Sequence, residues 1–186
     1  MHSELQQQLE HLKAYRKDRL EVALNILENK KYFDELIQIC FAPTDKNNNK
    51  ACWILEFIVY EELIWLQPYT DFFFENIKHL KDESALRPIA KIIQLLLASH
   101  YKKKENSILL SEENLQNIIE TSFDWLINDT KVATKAYSIR TLYILGKQYN
   151  WIHPELQIIL SKDYPNHSAA YQAVAREVLK KINHQK

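Results

Sequence analysis

Seven histidines, His2, His11, His79, His100, His153, His167 and His184, are spread along the 186 residues. No two stand four apart, so no helical face offers a pair of imidazoles to a metal. Acids stand side by side at Glu61-Glu62, Asp82-Glu83 and Glu112-Glu113. Neighbouring helical residues point about 100° apart, so such pairs suit helix starts better than a catalytic dyad. No Ser, His and acid fall into a spacing that suggests a nucleophilic triad. There is one glycine, Gly146. Phosphate-cradling loops and nucleophile elbows each need two or more, so neither is present. No catalytic residue, cofactor or metal is therefore expected.

Two other sets of side chains remain. The indoles Trp53, Trp65, Trp125 and Trp151 sit beside apolar residues. Phe123-Asp124-Trp125 and Trp151-Ile152-His153 could present aromatic anchors at a groove, because Trp, Tyr and Arg dominate binding hot spots. The cations Lys91, Arg140 and Arg176 follow small residues on long helical segments, 49 and 36 residues apart. They either pair with carboxylates or helix C-terminal carbonyls of a neighbouring repeat, or line a groove for an acidic partner segment. The candidate binding set is thus Lys91, Arg140, Arg176, Trp53, Asp124, Trp125 and Trp151.

The elements that must position them are helical. Apolar residues recur at helical spacing and no long segment alternates with period two. Usage near ~7% would supply roughly a dozen glycines, and tight hairpins draw on them. Ser3 caps a short polar helix with Leu5, Leu9 and Leu12 on one stripe. Leu20, Ala23, Leu24 and Leu27 mark a second helix, and Phe33, Leu36, Ile37, Cys40 and Phe41 a third. A turn-rich stretch from Pro43 to Asn49 precedes a long apolar helix over 51–66, closed by Pro68. Thr70 caps a helix over 70–80, and Asp82 and Ser84 open another that carries Pro88 and ends in Lys102-Lys103-Lys104. Ser111 caps the next, and Asp129 or Thr130 caps its successor, which runs to about Gln148. His153-Pro154-Glu155 starts a helix, and the last follows the turn at 165–168.

Three openings match: Asp82 to Ile92, Asp129 to Leu142 and Asn166 to Leu179. Each places small residues in its first turns and a cation one turn later, and a shorter helix separates successive copies. A helix–turn–helix unit therefore repeats. The segment Asp129, Val132, Lys135, Ala136, Leu142, Leu145-Gly146 resembles the HEAT/armadillo class of α-helical repeats, whose pattern has a capping Asp, a Val, a basic residue, small residues and a closing Leu-Gly. Pro88 stands where that pattern has a small residue. The resemblance spans about 30–184 and implies an all-α superhelical solenoid of about four helix pairs in one domain over 1–186, with 1–29 as N-terminal capping helices. In such a stack Phe72, Phe73 and Phe74 fill the space between repeats, and small residues let helices approach closely.

The resemblance further implies a non-catalytic binding or scaffold module whose partner is a protein. A related expectation comes from the HEAT-like alkylpurine DNA glycosylases, which use aromatics with Asp and Arg; Trp53, Asp124, Trp125 and Arg140 are the matching residue types. With 24 Lys+Arg against 24 Asp+Glu the net charge is zero, which disfavours nucleic acid. A lyase ranks third: the Gly-, Ser- and Met-rich catalytic loop of adenylosuccinate lyases has no counterpart. Cys40 and Cys52 lie among apolar residues and are expected buried and reduced. The stretch Met1 to Gln8 has no basic and apolar signal pattern, and no run has the roughly 18 clean apolar residues of a membrane span. The expected location is cytoplasmic, away from membranes; nothing in the pattern specifies an oligomeric state.

Overall fold

The computed structural model describes residues 3–184; Met1 and His2 lie outside them. Among the described residues the chain is all-α, in two compact units, one ending at Leu109 and one beginning at Leu110. The first holds α1 (Glu4–His11), α2 (Arg16–Glu28), α3 (Phe33–Phe41), α4 (Asn48–Glu61), α5 (Thr70–Asn76) and α6 (Glu83–Lys102). The second holds α7 (Glu112–Ile127), α8 (Val132–Leu145), α9 (Ile152–Asp163) and α10 (Ala169–Asn183).

Capping residues start many of these helices as their chemistry requires. Ser3 forms a capping box with Gln6, Asp82 accepts from the Ser84 N–H at 2.7 Å, and Ser111 and Ser168 cap α7 and α10. Two expected caps do something else. The Thr70 hydroxyl donates back to the Gln67 carbonyl, and the Thr130 hydroxyl donates to the Trp125 carbonyl at 2.6 Å, so both finish the preceding element. Lys131 takes the N-cap position of α8, and Asp129 is exposed beside it. The helix expected over 51–66 begins at Asn48, ends at Glu61 and continues as a 3-10 segment, Leu63–Tyr69. Pro68 lies inside that segment; it has no N–H for Ile64 and its ring would clash with that carbonyl in an α-helix.

In the first unit α2, α4 and α6 lie side by side and run parallel. Trp53 and Glu56 on α4 reach Ser84 and then Arg87 and Lys91 on α6, ascending together. Arg19 lies over Trp53 and Phe57, and Lys30, just past α2, over Trp65, which repeats the ascent on the other side of α4. The shorter helices contribute Phe33, Phe41, Phe73 and Phe74 to the core, where Phe41, Phe73 and Phe74 meet edge to face; Phe72 is half-buried against Phe41. Cys40 and Cys52 are buried free thiols; Cys52 Sγ donates to the Cys40 carbonyl, and burial pushes the Cys40 thiol well above its usual range.

Pro88 and Trp53 solve one problem together. Proline supplies no N–H, so the Ser84 carbonyl, four residues earlier in α6, loses its helical donor. The Trp53 indole N–H donates to that oxygen at 2.9 Å. A tertiary bond thus replaces a helical one and pins α4 to α6 at a single register.

In the second unit α7 and α8 are antiparallel, and α8 and α10 are parallel, with Arg140 meeting Glu177 and Tyr143 meeting Lys181. The small residues packed from α8 are Thr134, Ser138 and Thr141, whereas Ala136 is half-exposed and Ala133 exposed. On α10, Ala169, Ala170 and Ala173 are exposed and Ala175 is buried. Small residues therefore do approach neighbours, at positions other than the alanines that the matched openings emphasise. Lys135 is buried and donates from Nζ to the Leu126 and Asn128 carbonyls at 2.6 and 2.7 Å, closing the C-terminus of α7. Lys50 does the same for α1, bonding the Leu9 and Glu10 carbonyls at 2.8 and 2.9 Å.

Gly146, the C-cap of α8, lies against the His153 ring, which stacks on Tyr143 and whose Nε2 bonds the Tyr143 carbonyl. A Cβ on Gly146 would meet His153 Cδ2 at 2.0 Å. Glycine is required here by close approach, since its φ of −63° suits any residue.

Three stability measurements check this packing. Trp53→Phe should cost about 1 kcal/mol or more by leaving the Ser84 carbonyl without a donor. In a Pro88→Ala background that penalty should shrink, because alanine at this position restores the helical N–H; chemical denaturation of the four proteins reads the coupling. Lys135→Met should lose about 1–3 kcal/mol, while Lys162→Met, exposed on α9, should stay within about 0.5 kcal/mol. Gly146→Ala should lose about 1–3 kcal/mol by overpacking, and His153→Ala should relieve most of that loss in the double variant.

Candidate functional site

A concave surface lies in the first unit. It is a groove of about 800 Å³ along α2, α4 and α6. Its α2 wall carries Leu20, Leu24 and Leu27, spaced i, i+4, i+7 on one helical stripe. The sequence marks these residues as helix formers, yet the core of α2 is Ala23 and Ile26, while Leu20 and Leu24 are 41% and 49% exposed. Across from them Phe57 and Tyr60 line the α4 wall, with Tyr60 50% exposed.

Charge enters the groove in three places. Arg16 and Arg19 lie at the N-terminal end of α2. Glu56 lies in the floor, 7% exposed, and accepts from Arg87 at 3.0 Å and Lys91 at 2.9 Å. A carboxylate that deep requires such pairing. The Lys91 ammonium also lies 4.7 Å from the Tyr60 ring centroid. Glu61 and Glu62 line the far end, where α4 stops.

Arg19 is held by aromatic faces, its guanidinium 5.6 Å from the Trp53 centroid and 5.7 Å from that of Phe57. Its Nε is buried and makes no hydrogen bond among the described residues. The Arg19 guanidinium thus has aromatic neighbours but no carboxylate partner among the described residues.

Two of the seven sequence-derived candidates belong to this region. Lys91 lines the groove, and Trp53 lies beneath Arg19 while its own N–H serves Ser84. The other five lie in the second unit. Arg140 pairs with Glu177 at 3.3 Å, both side chains 41% exposed. Arg176 donates to the Tyr164 hydroxyl at 2.7 Å. Lys181 and then Arg140 hold the Glu177 carboxyl below its usual range. Trp125 is only 7% exposed, next to exposed Asp124. Trp151 is 54% exposed and stacks on Phe123 at 5.7 Å. Tyr171 is fully buried, and desolvation pushes its phenol up to about 12.

Arg16, Arg19 and Tyr60 are not singled out by the sequence, and Leu20 and Leu24 are read there only as markers of a helix. The available signal was the leucine ladder directly after two arginines, and a lone Glu56 inside the apolar run of α4. Both look the same in a helix that packs on all sides.

Among the described residues no three His, Cys, Asp or Glu side chains converge on a metal position, and no helix is long and apolar enough to cross a membrane. A family model described as HEAT repeat domain matches residues 2–182. No curated protein matches the chain, and no solved structure does.

Proposed function

The chain belongs to the HEAT repeat domain family, and from that premise we propose that it is a non-catalytic binding module whose working surface is the groove along α2, α4 and α6. The partner is a segment of another protein. One observation carries the reading: Leu20 and Leu24 line a groove with no helix of their own unit covering them, although burying the half of each that is exposed would stabilise the fold by roughly 1 kcal/mol. An i, i+4, i+7 ladder of leucines beside aromatic side chains is the pattern by which amphipathic segments are held. Repeat stacks commonly use such continuous surfaces for recognition.

The three cations marked by the repeat have partners of their own. Lys91, Arg140 and Arg176 each bond a neighbouring side chain, which supports reading them as ties between helices.

A library of random 12-residue peptides displayed on phage, selected against the immobilised protein, tests the proposal. Peptides that carry spaced apolar residues should be enriched, and Leu24→Glu should weaken their binding at least tenfold while leaving the thermal melt within a few degrees. Failure to enrich any peptide whose binding depends on Leu24 overturns the reading.

A further inference from the structure

We infer that the groove selects its partner by charge polarity: it receives a segment of the order acidic, apolar, basic, with the acidic side chain docked on Arg19. The inference rests on the binding-module reading above and specifies its ligand.

The three helices of the groove are parallel. Because α2, α4 and α6 all run the same way, one end of the groove collects their N-terminal halves and the other their C-terminal ends. Arg16 and Arg19 belong to the first end, and Glu61 and Glu62 to the second. Between them the Glu56 carboxylate is shared by two cations, so that centre retains one positive charge. The charged residues that line the groove therefore run from arginines to glutamates, with the leucine ladder in the middle; Lys30, over Trp65, lies past the acidic end.

The charged groups differ in how they are engaged. Arg87 and Lys91 are held by Glu56. Arg19 is held only by the faces of Trp53 and Phe57, and its Nε is buried with no acceptor among the described residues. A guanidinium that lines a groove without a carboxylate of its own is matched by an anionic oxygen, which its terminal nitrogens can take. At the opposite end Glu61 and Glu62 are in no ion pair among the described residues, and they would meet a Lys or Arg of the partner. From Arg16 to Leu27 the α2 wall spans about 16 Å at 1.5 Å per residue. The segment it fits is about three helical turns long, with its apolar pair between the charges.

The same peptide selection reads this directly. Among peptides whose binding depends on Leu24, acidic residues should concentrate on one side of the apolar pair and basic residues on the other. Selection against Arg19→Glu should lose the acidic preference or replace it with a basic one. Arg19→Gln should weaken the selected peptides at least tenfold. Circular dichroism and thermal melts of both variants confirm that they fold, and Arg16→Glu offers a second charge reversal at an exposed position if Arg19→Glu does not.

Leu24-dependent peptides with no charge bias, or with binding indifferent to Arg19 and Arg16, overturn the polarity while leaving the binding module standing. An absence of Leu24-dependent peptides overturns both. Titration with a labelled 12-nucleotide DNA, single-stranded and duplex, closes the remaining route. Binding below micromolar that falls with salt and is lost in Arg19→Glu would assign the arginine to phosphate and overturn the peptide proposal.

Discussion

The first unit is organised around one buried carboxylate. Glu56 lies in the apolar body of α4, where an unpaired charge would not be tolerated. Arg87 and Lys91, one helical turn apart on α6, both reach it. That requirement sets the rotation of α4 and its register against α6. The same register brings the Trp53 indole to the Ser84 carbonyl that Pro88 leaves without a donor. Once α4 is placed, the opposite side of Trp53 and the ring of Phe57 are available to hold Arg19 on α2. The groove and its orphan donor follow from that chain of placements.

Helix ends raise a second problem. The last carbonyls of a helix have no intrahelical donor, and glycine usually helps to resolve this. This chain has a single glycine. In each unit a lysine from the start of another helix answers instead: Lys50 for α1 and Lys135 for α7. Each ammonium binds two carbonyls and so joins two helices; for Lys135, which is buried, the bonds also satisfy a desolvated charge. Gly146 is kept for steric reasons, because the His153 ring occupies the space where a Cβ would be.

Much of the architecture was legible along the chain. The helical period, the caps Ser3, Asp82 and Ser111, and the repeated openings that resemble HEAT units all depend on residues close together in sequence. Local hydrogen bonds and the 3.6-residue period act within one or two turns, so sequence spacing alone carries them. Even the missed caps obey local chemistry: Thr70 and Thr130 have hydroxyls that bond backward to a finished element as readily as forward to a new one.

What a helical face meets is another matter. Leu20 and Leu24 have the spacing of core residues, and Ala133 and Ala136 have the size of contact residues. The exposed leucines and the buried Thr134, Ser138 and Thr141 show that the spacing does not say which side is covered. Lys91, Arg140 and Arg176 occupy matching places in the repeats, yet they bond a buried Glu, an exposed Glu and a tyrosine hydroxyl. Local sequence set the helices and the N-caps Ser3, Asp82 and Ser111, because those interactions act within a few residues. Burial and pairing are decided by residues dozens of positions away, so Glu56, its two cations, the orphan Nε of Arg19 and the groove between them emerge only when the helices are packed.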